Sequence, residues 1–454
     1  MKNELQKIAE YQNALLPLHE RKTEQAIKDI VDNAERSYTD KTYDFKSYSK
    51  LRLRQDGKHR IVKMYPPFSA EELLCIYLKR VLDKKYHISY PNRNTFIRSL
   101  FDIIYALKDM SDYVIYRFDF SDFFNSVSSQ FVYQKHISGA GLERFQSELL
   151  CRFVDSTQYA YAGLNTSNIL CEIIAKFFDS LIVQKFKDSG LLFYKRYIDD
   201  GIIIFNRYIS QNDCLDIIQE AITETFFDSN FTDAAPCKVS LNHSKTKYIA
   251  RRYLTVGGGP ADFDFLGYEF VLKVKSYNKS EITKFQYGIT QKKIDKYTKR
   301  INAIVKDYAE DPRGDIELLR HQIKAFTHRT VYRINRYKSV IWKSKGFLSN
   351  YCELRYHMNE LTPQTERFLK NVVRHAFLNC GISLPYFLKG NDNESIYSLY
   401  NNMQKYRTLL FVEMIGIDFI TLKKMCTQIG IDVTTGKSYD GLVRDYLIKV
   451  KVGH

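Results

Sequence analysis

The stretch that decides the reading is Tyr116-Arg117-Phe118-Asp119-Phe120-Ser121-Asp122-Phe123-Phe124. Aromatic and β-branched residues from Tyr113 to Phe120 predict a strand, and Asp119 falls at its end. A second stretch, Tyr197-Ile198-Asp199-Asp200-Gly201, lies inside Leu191–Phe205, where two β-rich runs flank an Asp-Gly turn signal. Adjacent carboxylates at a hairpin tip repel each other unless a cation neutralises them. Either stretch alone reads equally as a solvated turn or a helix cap. Together they put three carboxylates at two strand ends. Such a set suits Mg²⁺, which takes oxygen ligands and usually keeps one or two carboxylates plus substrate phosphates. Two ions about 4 Å apart form the clamp used for phosphoryl transfer in polymerases.

The rest of the chain narrows the class. It has 454 residues, enough for two to four units, and 44% of them are hydrophobic, so it folds into cores. Lys and Arg exceed Asp and Glu by 68 to 52, giving +16, a balance that suits a polyanionic partner. No apolar run approaches the ~20 residues of a spanning helix, so no membrane partner is expected. The start, Met1–Ile8, is polar and unlike a signal peptide. The eight Cys form no Cys-x-x-Cys pair, which argues against zinc and for a reduced, cytoplasmic setting.

Coarse periodicity orders the elements as an α+β chain. Residues 1–42 read as a polar helical extension. A basic, aromatic segment follows, with Ser69 capping a helix ahead of Glu71 and Glu72. Strands and helices alternate from Asp112 to Phe270, including a long helix over Asn168–Phe186 with Leu170, Ile173, Ile174, Phe177, Leu181 and Ile182 on one face. Beyond about residue 288 the pattern predicts helices over Gln291–Tyr308, Asp315–Tyr337, Thr365–Leu378 and Ser395–Ile415. Arg320, Lys324, Arg329, Arg333, Arg336 and Lys338, with Tyr332 and Tyr337, read either as a solvated basic face or, with the net charge of +16 favouring it, as a nucleic-acid-binding surface, because cations neutralise phosphates and aromatics stack on bases.

Three further motifs complete an ordered series: Gly163-Leu164-Asn165-Thr166-Ser167, then Leu241-Asn242-His243-Ser244-Lys245-Thr246, then Phe265-Leu266-Gly267-Tyr268. In this order and spacing the chain, over roughly residues 50–350, resembles the reverse transcriptases of the retron, group II intron and bacterial defence lineage. It is most similar to the defence-associated, abortive-infection type. The resemblance implies a right-hand polymerase fold: fingers 43–111, palm 112–287 with a finger insertion at about 126–160, thumb 288–350 and a helical C-terminal domain 351–454. It implies an RNA-directed DNA polymerase, a nucleotidyltransferase in anti-phage defence, using Mg²⁺ (or Mn²⁺) and dNTPs. Its partners would be an RNA template, in some groups a dedicated non-coding RNA, and the DNA product; a homo-oligomer is compatible with it. Asp119, Asp199 and Asp200 are the implied catalytic residues and, with Phe120, the implied metal site. Phe124 would shape the sugar pocket, Gly163 would let template or nucleotide approach the backbone, and Lys245 would assist the pyrophosphate side. Arg60 and Lys63 are the remaining triphosphate candidates.

Two departures stand out. Tyr161-Ala162 replace the family's Pro-Gln before Gly163, and Glu71-Glu72 occupy the stretch where the fingers usually carry a second Arg. They keep two alternatives open. One is untemplated, Tyr-primed DNA synthesis from the same site. The other is a catalytically idle RNA-binding scaffold.

Overall fold

The structure, a computed structural model, describes residues 1–16, 20–55, 58–231, 235–277, 280–311, 314–336, 339–389, 395–434 and 437–451. The chain is of mixed α+β class and divides into two compact units. The first contains residues 1–16, 21–92 and 110–253; the second contains 17–20, 93–109 and 254–454.

In the first unit, helices Lys2–Leu15 and Glu24–Thr39 bury thin apolar stripes, Leu5 and Ile8 on one and Ile27 and Val31 on the other. Strands β1 (Ser49–Gln55) and β2 (Lys58–Met64) form an antiparallel ribbon. Ser69 caps the helix Ala70–Tyr86, its Oγ accepting the Glu72 N–H at 3.2 Å. The central sheet contains β3 (Val114–Asp119), β4 (Leu191–Tyr197), β5 (Asp200–Phe205) and β6 (Lys247–Ala250), in the order β4-β5-β3-β6. All its pairings are antiparallel. The helix Asn165–Lys185 joins β3 to β4 and the helix Gln211–Phe226 joins β5 to β6. That sequence, βαββαβ, is the split, ferredoxin-like arrangement. The two helices and the sheet share one core, with Ile169, Ile173, Ile174, Phe178, Ile218 and Phe226 packed with Tyr116, Phe118 and Ile203.

The second unit carries an antiparallel sheet of β7 (Ala261–Phe265), β8 (Tyr268–Tyr277) and β9 (Ser280–Ile289). The β7–β8 turn is Leu266-Gly267, both with positive φ, as a two-residue hairpin turn requires. Helices Gln291–Glu310, Ile316–Thr327 and Pro363–Asn379 follow, interleaved with β10 (Arg329–Arg336), β11 (Ser339–Lys345) and β12 (Thr408–Phe411), ordered β11-β10-β12. Helices Phe419–Gln428 and Tyr439–Lys449 close a small core around Leu409, Phe411, Leu422 and Tyr446.

Several expectations are corrected. The predicted helix Asp315–Tyr337 ends at Thr327, and His328 is extended. Thr327, Thr330 and Val331 are β-branched and favour a strand, so Arg329, Arg333 and Arg336 lie on β10 and not on a helix. The predicted helix Ser395–Ile415 breaks into a short helix, Leu399–Gln404, and β12, with Tyr406 at φ 48° between them. The C-terminal region is therefore not all helical. On the long helix, Phe177 is 45% exposed, with its ring stacked on His136 and not in the core.

Candidate active site

The hairpin tip differs from the Asp-Gly turn read in the sequence. Tyr197 pairs with Asp200, so the two turn residues are Ile198 and Asp199, and Ile198 takes φ 60°. Gly201 lies inside β5, where a Cβ would meet the Phe118 ring at 2.1 Å. The glycine is needed for the approach of β3, not for a turn. The same register sets Asp119 directly across from Asp200. Phe120 fixes the tip by donating its N–H to the Asp199 carbonyl at 3.0 Å.

Three side chains hold the two facing carboxylates. Lys245 Nζ is 2.8 Å from Asp119 Oδ2, and Asn242 Nδ2 donates to the same oxygen at 3.3 Å. The Asn242 N–H also donates to the Asp119 carbonyl at 2.7 Å. Arg117, two residues before Asp119 and on the same face of β3, places Nη2 3.0 Å from Asp200 Oδ1 and Nη1 3.0 Å from the Lys245 carbonyl. Burial pushes the Asp200 carboxyl up to about 7; Arg117 opposes this, while Asp119 and Asp199 add to it. Asp200 in its protonated form hydrogen-bonds Asp119.

The two facing carboxylates, with Asp199 adding negative charge beside them, are hard oxygen donors of the kind a divalent cation takes. Asp119 and Asp200 supply oxygen donors of the kind Mg²⁺ takes, with phosphate oxygens left to complete the shell. Asp199 lies at the turn beside Asp200 and raises its pKa, yet among the described residues no three His, Cys, Asp or Glu side chains are placed to share one ion. The carboxylate oxygens are instead bound by the ammonium of Lys245 and the guanidinium of Arg117.

A second ionic group supports the tip from below. Arg196, on β4, is buried and pairs with Glu172 at 3.0 Å and with Asp179 at 2.9 Å, both on the helix Asn165–Lys185. Its Nη1 donates to the Ile198 carbonyl at 2.6 Å. Tyr194 donates to Asp179 Oδ1 at 2.6 Å. The guanidinium thus fastens the strained Ile198 residue to the helix. The two acids hold its pKa above the ordinary arginine value, although burial pushes the other way.

The other expected site residues are placed as follows. Phe120 has a buried ring stacked on Phe123. Phe124 is half-buried at the edge of the core, edge-on to Phe123 at 6.2 Å. Gly163 has φ 104°, and a Cβ there would lie 2.4 Å from the Lys63 carbonyl oxygen. The close approach at Gly163 is made by β2, whose Lys63 N–H donates to the Ala162 carbonyl at 2.9 Å. Lys63 itself is caged: Nζ lies 2.7 Å from the Tyr161 ring centroid and 4.3 Å from that of Tyr48, and it donates to the Tyr48 hydroxyl at 2.9 Å. Burial pushes its ammonium down to about 8, while the two ring faces favour the charged form, so Lys63 is a cation at neutral pH. Arg60 lies on β2, but its side chain is outside the described residues, as is that of Arg336; Lys338 is outside them altogether. Arg329 and Arg333 belong to the second unit.

Sequence reasoning missed Arg117, Asn242 as an Asp119 partner, and Arg196. Arg117 carried a legible signal. A lone arginine inside an apolar strand, two residues from a candidate carboxylate, must be buried on the same face and must therefore be paired.

Compared with known proteins, the chain matches no family model, and no curated protein matches it significantly. Among the described residues no helix is long and apolar enough to cross a membrane.

Proposed function

We propose that this protein is a reverse transcriptase: an RNA-directed DNA polymerase whose palm is the βαββαβ sheet. The observation that carries the reading is the register of β3 and β5, which sets Asp119 against Asp200 beside the Asp199 turn. The ordered sequence motifs support it: Asp119, Asp199-Asp200 and Leu241–Thr246 fall at this sheet, Gly163 at the start of the helix that joins β3 to β4, and Leu266-Gly267 in the β7–β8 turn of the second unit. The ferredoxin-like arrangement alone would not, since that topology hosts many activities. On this reading the ribbon β1–β2 and the helix Ala70–Tyr86 are fingers, and the region after Ile289 is thumb and C-terminal domain. The setting is the bacterial cytoplasm, in anti-phage defence.

Asp119 and Asp200, with Asp199 at the tip, would hold Mg²⁺, which when bound activates a primer hydroxyl and neutralises the triphosphate. Lys245 sits where it can transfer from the Asp119 carboxylate to a phosphate once a cation satisfies that oxygen. Arg117 keeps Asp200 ionisable, and Arg196 holds the tip in its strained conformation. Lys63 reads as the clamp of β1–β2 onto Tyr161 more than as a triphosphate contact, because its ammonium is already enclosed.

The test is incorporation of labelled dNTPs by purified protein on a primed RNA template, with RNase-treated and template-free controls. Asp119→Asn and Asp200→Asn should abolish incorporation with folding retained. Incorporation by a doubly substituted protein would sink the reading. Product formed equally well without RNA would point to untemplated synthesis.

A further inference from the structure

The second unit contains a surface that the catalytic reading does not use. From Arg329 to Cys352 the sequence carries Arg329, Arg333, Arg336, Lys338, Lys343 and Lys345 and no acidic residue. A run of this length without an acid suits a polyanion; of its cations Arg329 and Arg333 share one face of β10, whereas Lys343 and Lys345 fall on the other. The sheet β11-β10-β12 orders part of it. One face, with Thr330 and Tyr332 beside Leu409 and Phe411, is turned to the core formed by the helices Phe419–Gln428 and Tyr439–Lys449. Residues alternate along a strand, so Val340, Trp342 and Ser344 of β11 fall on the opposite face, with Arg333 directly across from Trp342.

That opposite face is open along β11. Trp342 is 53% exposed and Val340 50%. Trp342 is the chain's only tryptophan. An indole left in water on an edge strand, beside the Arg333 across from it, makes poor use of its apolar area unless something flat covers it. Further along the same face of β10, Arg329 lies over the Tyr406 ring at 5.1 Å, with its Nε buried and without a protein partner. Aromatic rings beside the guanidinium groups of Arg333 and Arg329 suit one ligand chemistry above others: a single strand of nucleic acid, with a base stacked on the ring and phosphates on the cations. Duplex would hide its base faces, and a lipid surface would call for a larger apolar patch.

We propose that the open face of the β11-β10-β12 sheet binds single-stranded nucleic acid, with Trp342 as the base-stacking platform and Arg333 and Arg329 on the phosphate backbone. The proposal rests on the polymerase reading only for the source of the strand, template or product. Its chemistry rests on the sheet.

The single tryptophan makes the test direct. Titrating the full chain with dT and rU oligonucleotides should quench the Trp342 emission, and the two arms distinguish DNA from RNA as the preferred strand. Trp342→Ala should weaken oligonucleotide binding roughly tenfold, the weight of one stacked base, while Trp342→Phe should lose much less. Arg333→Ala should lower the slope of log affinity against log salt by about one. Because Trp342 is exposed, its variants should keep the wild-type circular dichroism and unfolding midpoint. Running the titration in the Asp200→Asn background separates the two readings: quenching there supports the platform whatever the protein does with dNTPs. Unchanged emission at saturating oligonucleotide, with Trp342→Ala binding as tightly as wild type, would overturn the proposal. So would a protein partner whose binding is lost in Trp342→Ala while oligonucleotides leave the emission unchanged.

Discussion

Arg117 and Asp200 occupy neighbouring strands of one sheet, and the guanidinium Nη2 lies 3.0 Å from the carboxylate Oδ1. Arg117 is nearly inaccessible to water, so its charge acts on Asp200 with little screening. It is the one group among the named causes that pulls the Asp200 pKa down, against burial and two neighbouring carboxylates. Replacing it with methionine keeps the bulk and removes the charge. The expected result is an Asp200 that stays protonated at neutral pH. Incorporation should fall at least tenfold at pH 7 and recover in part toward pH 9. A pH–rate profile of Arg117→Met against wild type checks this; a parallel loss at every pH would mean that Arg117 acts only through packing.

The raised Asp200 pKa also makes a stability prediction whose sign is fixed. A carboxyl that titrates near 3.8 when unfolded and about 7 when folded is held in its protonated form by the fold. Between those values the folded state binds more protons than the unfolded, so stability falls as pH rises through that window. The full penalty, on the order of 2–4 kcal/mol, is present above about pH 7 and absent below about pH 4. Asp200→Asn should therefore be more stable than wild type at pH 8 and equal to it near pH 4. Mg²⁺ should raise the wild-type melting temperature at pH 8, do less at pH 6, and do little for the variant. Chelation should reverse the gain. Thermal melts at the three pH values, with Mg²⁺ or with chelator, decide the matter.

Arg196 makes a different kind of prediction, because its network is closed. The guanidinium satisfies Glu172, Asp179 and the Ile198 carbonyl together. Removing it strands two half-buried carboxylates and releases a residue held at positive φ. Breaking a buried ion pair from one side costs about 3–5 kcal/mol. Arg196→Met should lower the unfolding free energy by that amount and abolish incorporation even where the protein remains folded. A triple variant with Glu172→Gln and Asp179→Asn should regain most of the stability but not the activity. Restored activity would show that the tip is held by other means.

How much of this was legible from residues alone follows from what each signal depends on. The strand ending at Asp119 and the hairpin before Asp200 are local patterns, and local patterns give their elements away. The turn was misplaced because Asp-Gly is the stronger turn signal in isolation; the Phe118 ring, which claims the space at Gly201, comes from a strand far away in sequence. The change from helix to β10 after Thr327 was hidden because Arg329, Arg333 and Arg336 also fit a helical spacing. Only the pairing with β11 and β12 settles a strand there. Register, and with it the Asp119–Asp200 juxtaposition, is a tertiary fact.

His328 gives a pH test away from the candidate site. It is buried before β10, with Nδ1 2.8 Å from the Lys324 carbonyl. Burial pushes its pKa down to about 4. A histidine whose folded pKa lies below the unfolded value of 6.5 contributes fully above that value, and the contribution is lost as pH falls toward 4. Wild-type stability should drop by up to about 3 kcal/mol across that window through this residue. His328→Asn keeps an amide donor near Nδ1 and cannot gain the charge, so its drop across the same window should be smaller by that amount. Urea unfolding free energies at pH 7 and pH 4 for both proteins read the difference directly.

Phe124 offers the test that separates sugar selection from packing. It follows Asp119 by five residues, on the short helix Phe123–Ser126. Phe120 and Phe123 are buried in the core, while Phe124 is half-buried at its margin and meets Phe123 edge-on. On the polymerase reading the ring would lie against the sugar of a nucleotide bound beside Asp119, and a ring packed against C2′ would leave no room for a 2′-hydroxyl. Exclusion of ribonucleotides is then a matter of overlap and not of a missing hydrogen bond. Because the ring is only partly enclosed, truncating it should cost less than the roughly 3–5 kcal/mol of a fully buried phenylalanine. Phe124→Val should therefore remain folded, keep most dNTP incorporation and accept rNTPs at least tenfold better than wild type. If the ring serves only the core, dNTP and rNTP incorporation fall together and the unfolding midpoint falls with them. A stable Phe124→Val protein with wild-type discrimination would remove Phe124 from the sugar pocket and leave selection to a residue elsewhere along the site.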